Sequence, residues 1–195
     1  SFTCRLPASG IAGIIGPNGA GKTTLLNIIT GFIRPETGRC LLGEEEITQK
    51  APHKIARLGL ARTFQDLRLI RLVSVLENVM LARPSQSGER LWRALTRIGE
   101  RREDRRNREE AERLLNFVGL IKEAQEPAGD LSYGQQKLLT LACCLATDAR
   151  ILLLDEPVSG VHPQMAQRIM GLLRQLCESG MLIVFVEHDM SFVRQ

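Results

Sequence analysis

A chain of 195 residues, 44% of them apolar and 25% charged, can bury one sizeable core, which excludes collagen-like, disordered and disulfide-scaffold classes. Its net charge of +4 permits an anionic partner without requiring nucleic acid. The longest glycine-free apolar run, residues 181–186, falls far short of the roughly 20 residues a spanning helix needs, so the chain is not expected to cross a membrane by itself.

In chain order, residues 11–15 form a short apolar run ending at Gly16, and Gly21 opens an amphipathic stretch reaching residue 33. That order predicts strand, glycine-rich turn, helix. Pro35-Glu36-Thr37-Gly38 predicts a turn, followed by a short strand at 40–42, an acidic loop at 44–46 and a strand at 60–64. From Ser74 to Gly119 the periodicity becomes helical (Val75, Val79; Leu91, Leu95, Ile98; Leu114, Leu115, Val118). Between Glu89 and Arg113 nine arginines meet seven acidic residues, with Glu89/Arg93, Asp104/Arg108 and Glu109/Arg113 at i,i+4, so this helical insertion is expected to carry a solvated face. The α/β pattern then resumes: a helix over 134–146, a buried strand at 151–154, a helix over 163–177 with Pro163 in its first turn, and a buried strand at 181–186. Alternating strands and helices imply an α/β fold, a mostly parallel sheet with helices on both faces. The five cysteines contain no CxxC pair and are odd in number, so reduced thiols are expected rather than a metal site.

Gly16-Pro17-Asn18-Gly19-Ala20-Gly21-Lys22-Thr23 fits G-x-x-x-x-G-K-[ST] and lies between a predicted strand and a predicted helix, where the mechanism needs it. The first N–H groups of a helix have no intrahelical partners, and glycines let that backbone wrap a phosphate. Lys22, one of five lysines beside 21 arginines, supplies a compact charge for the β- and γ-phosphates. The Thr23 hydroxyl is placed to ligate Mg²⁺. An ordinary glycine-rich turn would not need this context, so the pattern predicts a nucleotide site.

The apolar run Ile151-Leu152-Leu153-Leu154 delivers Asp155 and then Glu156 to the C-terminal edge of a strand. There Asp155 can hold Mg²⁺ through water, and Glu156 can orient or deprotonate a water attacking the γ-phosphate. Alone, such a strand end would be read as a surface turn; paired with the cradle, it reads as part of a site. The last strand leads similarly into Glu187-His188-Asp189. His188 there can donate a hydrogen bond to the γ-phosphate, although a lone histidine after a strand is usually a turn residue.

At Leu131-Ser132-Tyr133-Gly134-Gln135, just upstream of the Asp155 strand, the chain resembles the signature motif of ATP-binding cassette (ABC) ATPases. Ser132 and the Gly134 backbone open a helix whose dipole favours an anion, although a plain helix cap would look the same. The resemblance spans essentially the whole chain, with its motifs in family order. It implies a P-loop NTPase cassette in three stretches. Residues 1–73 are the first part of a RecA-like core, 74–133 a helical subdomain ending in the signature, and 134–195 the remaining core. Carried over by position, Gly16, Pro17, Asn18, Gly19, Ala20, Gly21, Lys22, Thr23 and Thr24 resemble the Walker A loop, and Gln65 the Q-loop glutamine. Ser132, Gly134 and Gln135 match the signature, Asp155 the Walker B aspartate, Glu156 the catalytic glutamate and His188 the switch histidine. The resemblance further implies that Gln65 touches Mg²⁺ or its water and links the site to the insertion and a membrane partner.

Ala61-Arg62-Thr63-Phe64-Gln65, Tyr133-Gly134-Gln135-Gln136, Leu154-Asp155-Glu156-Pro157 and Val186-Glu187-His188-Asp189-Met190 are similar to cassettes of bacterial branched-chain amino acid importers. Cassettes for urea and amides share much of this. The resemblance implies a peripheral ATPase on the cytoplasmic face of the membrane, using ATP and Mg²⁺. Its implied partners are a second cassette, transmembrane permease subunits and, indirectly, a solute-binding protein, with no nucleic acid. Two departures stand out. Ser159-Gly160-Val161-His162 places histidine where the family's D-loop usually has aspartate, and the aromatic residue that stacks on adenine would lie before the first strand. The chain also ends at Gln195, seven residues after His188, so a cassette truncated at both ends is expected. A DNA-associated ABC ATPase would need long coiled coils, yet only about 65 residues separate Gln65 from the signature, without sustained heptads. A small-molecule kinase would leave residues 131–135 unexplained.

Overall fold

The computed structural model describes residues 3–17, 19–63, 67–84 and 100–187, with side chains from 104 onward in the last segment. Asn18, Gln65 and His188, and the Glu89/Arg93 pair, lie outside the described residues. By packing, the chain divides into two units, Ser1–Gln65 with Ala149–Gln195, and Asp66–Asp148.

The first unit is built on four parallel strands: β1 (Gly10–Ile15), β4 (Leu60–Arg62), β5 (Ile151–Asp155) and β6 (Leu182–Glu187), in the order β1-β6-β5-β4. The two central strands are the most continuously apolar segments of the chain, as a parallel sheet covered on both faces requires, and all six residues of β6 are buried. β1, at one edge, alternates between half-buried and exposed positions. Close packing sets its composition: a Cβ on Gly13 would come within 3.1 Å of the Phe185 ring on β6.

Helix α1 (Lys22–Ile29) follows β1 and drives Leu26, fully buried, into a cluster with Ile47, Ile55, Leu60, Leu153, Leu182, Val184 and Val186. Each such aliphatic side chain contributes about 1.5–3 kcal/mol when buried. The helix stops four residues before the expected residue 33 because Gly31 turns left-handed (φ +75°). Both Phe32 and Ile33 then donate back to the Asn27 carbonyl, at 2.9 and 3.2 Å. The expected acidic loop is in fact a strand: β2 (Leu41–Leu42) and β3 (Glu45–Glu46) form a hairpin turning at Gly43 (φ +62°), with Glu46 held by Arg39 at 2.7 Å. A short helix that the pattern did not announce, α2 (Pro52–Arg57), buries a single side chain, Ile55, and starts on a proline at its first turn.

The second unit is helical. Ser74 caps α3 (Val75–Leu81) in a reciprocal box: its hydroxyl accepts from the Glu77 N–H, while its own N–H and O–H donate to Glu77 Oε2 at 2.9 and 2.8 Å. Those two bonds hold the Glu77 carboxyl below the usual carboxylate range, the backbone N–H contributing most. The next N–H groups, of Val75 and Leu76, donate to the carbonyls of Glu126 and Ala124 at 2.9 Å each. Buried Asn78 ties down the preceding loop, accepting from the Ile70 N–H (2.9 Å) and donating to the Ile70 and Ser74 carbonyls (3.1 and 3.0 Å).

Helix α4 (Glu100–Val118) packs on α3 and on α5 (Tyr133–Ala146). It buries Ala111, Leu115 and Val118, spaced i, i+4, i+7, one turn out of phase with its charged half. The exposed pairs differ from the expected ones. Arg108 bonds Glu112 (2.9 Å) rather than Asp104, Arg113 bonds Glu110 (2.9 Å) rather than Glu109, and Glu109 bonds Arg105 (3.0 Å). Acids lie at both i−4 and i+4 from several arginines, so spacing alone leaves the partner open. α5 is followed by β5, and helix α6 (Pro163–Glu178), capped by His162, returns the chain to β6. No helix among the described residues is long and apolar enough to cross a membrane.

All five cysteines are free, and burial pushes the Cys143 and Cys144 thiols up to about 12. At pH 8 in the native protein both should therefore resist Ellman's reagent while exposed Cys4 reacts, and urea should release them. Because the folded state keeps protons that the unfolded chain sheds from about pH 9, their contribution to stability is intact below pH 9 and lost as pH rises towards 12.

A Cβ on Gly31 would lie 2.5 Å from the Lys50 carbonyl oxygen, besides demanding a left-handed backbone. Gly31→Ala should lower stability in urea by about 1–3 kcal/mol. Gly38→Ala, at φ +97° with nothing within 4 Å, should lose less because only backbone strain acts there. Equal urea midpoints for the two variants would remove the steric part of this account.

Candidate nucleotide-binding site

The glycine-rich segment connects the end of β1 directly to α1. Gly19 and Gly21 adopt φ values of +81° and +85°, with nothing within 4 Å of where a Cβ would stand. The loop therefore curls with its backbone open on that side. Ala20 N–H closes a turn on the Pro17 carbonyl (3.2 Å), and Gly21 occupies the cap position of α1. Among the described residues no side chain caps this helix, and no acidic residue lies in its first turn. The N-terminal N–H groups and the positive end of the dipole are thus left to an anion. Lys22 arches back over the loop, its ammonium donating to the Gly16 carbonyl at 2.6 Å and the Pro17 carbonyl at 2.9 Å. Two carbonyls hold the charge above the loop, with a third ammonium proton available to a phosphate oxygen. Thr23 and Thr24 are exposed at the first turn of the helix.

Parallel register brings the carboxylates to the same edge of the sheet. Ile15, the last residue of β1, lies opposite Glu187, and Val186 lies opposite Asp155. Asp155 is buried (6% exposed), and its backbone N–H donates to the Thr63 hydroxyl at 3.1 Å. Its Oδ2 accepts from Arg62 Nη2 at 3.1 Å, in an ion pair whose side chains are each 4% exposed. Glu156 leaves the strand with a left-handed backbone (φ +50°), uncommon for a non-glycine residue, while its N–H still reaches the Val186 carbonyl at 3.1 Å. Such backbone strain recurs at functional sites. Glu187, 2% exposed, accepts from the Val158 N–H at 3.5 Å and so holds the turn that follows Glu156.

In the helical unit, Ser132 caps α5 by a second reciprocal box. Its hydroxyl accepts from the Gln135 N–H (3.4 Å), while Ser132 N–H and O–H donate to Gln135 Oε1 at 3.0 and 2.8 Å. Gln135 Nε2 donates onward to Glu123 (3.2 Å), and Gln136 donates to the Leu131 carbonyl (2.9 Å). Tyr133 is half exposed, with the Lys137 ammonium 5.4 Å from its ring centre. Gly134 lies in the first turn of α5. His162 caps α6, its Nδ1 accepting from the Gln164 N–H at 3.4 Å. The residue that departs from the family's usual aspartate therefore still serves as a helix cap.

The first unit thus holds Gly16, Pro17, Gly19, Ala20, Gly21, Lys22, Thr23, Thr24, Asp155 and Glu156, and the second holds Ser132, Gly134 and Gln135. Four residues around Asp155 went unassigned in the sequence reading: Asn27, Thr30, Arg62 and Thr63. The available signal was a charged residue in an otherwise apolar strand, Leu60-Ala61-Arg62. No cluster of three or more His, Cys, Asp or Glu side chains exists among the described residues. Magnesium bound with a nucleotide does not need one, because one or two protein oxygens suffice when phosphates and water complete its octahedron. The Thr23 hydroxyl and the Asp155 carboxylate are hard oxygen donors of that kind.

A sequence model of the ABC transporter family matches residues 1–159. The branched-chain amino acid transport ATP-binding protein BraF of Pseudomonas aeruginosa is 40% identical over 185 residues, covering 94% of this chain and 72% of BraF. LivG of Escherichia coli K12, which carries the same description, is 37% identical with the same coverage of both chains. Among solved structures, a nucleotide-free ATP-binding cassette from an ABC transporter superimposes with a TM-score of 0.79 at 32% identity, covering 96% of this chain and 73% of that one. The dimeric post-hydrolysis state of the cassette MJ0796, bound to ADP and phosphate, gives 0.75 at 28% identity, covering 96% and 78%. The phosphate loop, the carboxylate strand beside it and the capped signature helix are parts of one familiar design, and the chain belongs to the ABC transporter family as an ATP-binding cassette.

Proposed function

We propose that this cassette binds and hydrolyses ATP to energise a membrane importer of branched-chain amino acids. The observation that carries the ATPase reading is the uncapped N-terminus of α1, with Lys22 folded over its loop, beside a strand that ends in Asp155 and Glu156. The substrate class rests on the 37–40% identity to BraF and LivG across most of the chain.

In this reading the N–H groups of the 16–24 loop and the Lys22 ammonium bind the β- and γ-phosphates and orient them. Thr23 and Asp155, with Gln65, would hold magnesium, which neutralises phosphate charge as the transition state forms. Glu156 accepts a proton from the attacking water. An oxygen–phosphorus bond forms at the γ-phosphorus, the bridging bond to the β-phosphate oxygen breaks, and ADP and phosphate leave. His188 donates to the γ-phosphate. Ser132, Gly134 and Gln135 face the nucleotide held by a second cassette, so two copies or two homologous chains complete each other's sites. Transmembrane permease subunits receive the motion at the cytoplasmic face of the membrane, through Gln65 and the helical unit, and a solute-binding protein delivers the cargo.

Glu156→Gln should retain ATP binding, lower phosphate release by about 10²–10⁴-fold, and accumulate a nucleotide-bound dimer on size-exclusion chromatography. Undiminished turnover would remove Glu156 as the base. In proteoliposomes with its permease subunits, a leucine-loaded binding protein should stimulate hydrolysis. Stimulation by urea or an amide instead would reassign the cargo.

A further inference from the structure

Arg62 is the one charged residue of β4, and its side chain is 4% exposed. Its guanidinium spans two elements. Nη1 donates to Asn27 Oδ1 at 2.6 Å and to Thr30 Oγ1 at 3.4 Å, while Nη2 donates to Asp155 Oδ2 at 3.1 Å. Thr30 Oγ1 donates its own proton to the Leu26 carbonyl (2.6 Å), which leaves the oxygen's lone pairs as acceptors. Thr23, Asn27 and Thr30 stand at i, i+4 and i+7, one stripe along α1 and its cap. Arg62 grips the inner two positions of that stripe, and Thr23 is the outer one, at the phosphate loop. The neighbouring Thr63 hydroxyl meanwhile accepts from the Asp155 backbone N–H at 3.1 Å. Two consecutive residues therefore fix Asp155, one by its main chain and one by its carboxylate.

We propose that Arg62 is a positioning residue for the metal: it locks Asp155 to α1, sets the spacing between the Asp155 carboxylate and the Thr23 hydroxyl, and leaves Oδ1 to the water around magnesium. The inference rests on the reading of Asp155 as a magnesium residue. Planarity and the fork of donors suit arginine to this task, because a lysine ammonium is a single point and cannot hold Asn27 and Asp155 in the same geometry. A buried ion pair of merely structural use could be replaced by a hydrophobe without touching metal affinity. An orienting partner of a metal ligand is worth about 10–100-fold in that affinity.

The test is Mn²⁺ binding to the ATP-loaded full chain, read by electron paramagnetic resonance, with ATP affinity in EDTA measured alongside. Arg62→Met should raise the Mn²⁺ half-saturation concentration about 10–100-fold and leave ATP affinity in EDTA unchanged. Arg62→Lys should recover part of the loss, and Asn27→Ala should shift the same curve by less. Should Arg62→Met fail to fold by circular dichroism, the other two variants decide. Wild-type Mn²⁺ curves in the folded variants overturn the inference. Asp155→Asn separates the two layers: if it loses Mn²⁺ while the Arg62 and Asn27 variants keep it, only the role of Arg62 falls. If Asp155→Asn also binds Mn²⁺ normally, the metal reading of Asp155 falls with it.

Discussion

Parallel pairing in register is the constraint on which the nucleotide site depends. β1, β6 and β5 run the same way, and Ile15, Glu187 and the Asp155–Val186 pair bring their C-terminal ends level. Whatever follows each strand therefore emerges on one edge: the glycine-rich loop from β1, Glu156 from β5 and residue 188 from β6. In an open α/β sheet this is the edge where ligands bind, because the helix that follows a strand offers its uncapped start there. The packing that enforces the register is ordinary. Leu152, Leu153, Leu154 and the residues of β6 are buried throughout, and sliding either strand by one position would exchange its faces.

Charge is handled by two opposite devices. At the phosphate loop positive potential is exposed: the helix start is left uncapped, and Lys22 is steadied by carbonyls rather than by an acid. At Asp155 negative charge is buried and matched at once by Arg62, whose remaining donors are taken up by Asn27 and Thr30. Burying either ion alone would cost several kcal/mol, so the pair must be formed together with its hydrogen bonds. The helical unit follows a third pattern, in which Ser74 and Ser132 each close a capping box with the residue three positions on. Its helix starts are locally saturated, unlike that of α1.

Much of this was legible because the controlling interactions are local in sequence. The phosphate loop is eight consecutive residues, β5 and β6 are unbroken apolar runs, and Ser132 and Gln135 stand at capping-box spacing. What escaped the sequence reading depends on contacts between distant segments. α1 ends at residue 29 because Gly31 must pass the Lys50 carbonyl, and nothing between 21 and 33 announces that neighbour. Glu45 and Glu46 become a strand because a two-residue turn at Gly43 pairs them with Leu41 and Leu42, against the low strand preference of glutamate. Arg62 reaches Asp155 across 93 positions of sequence, and only the adjacency of β4 and β5 makes them partners. In α4 the acid chosen by each arginine depends on side-chain rotamers rather than on spacing.

The turn after β5 is fastened to the last strand at two points. Glu156 N–H bonds the Val186 carbonyl, and two residues later Val158 N–H bonds the carboxylate of Glu187, a side chain shut away from water. Neither tether can be released alone without stranding a polar group inside, so the two give way together or not at all. Residues 156–158 and the tip of β6 accordingly behave as a single latch, and displacement of one is transmitted undiminished to the other.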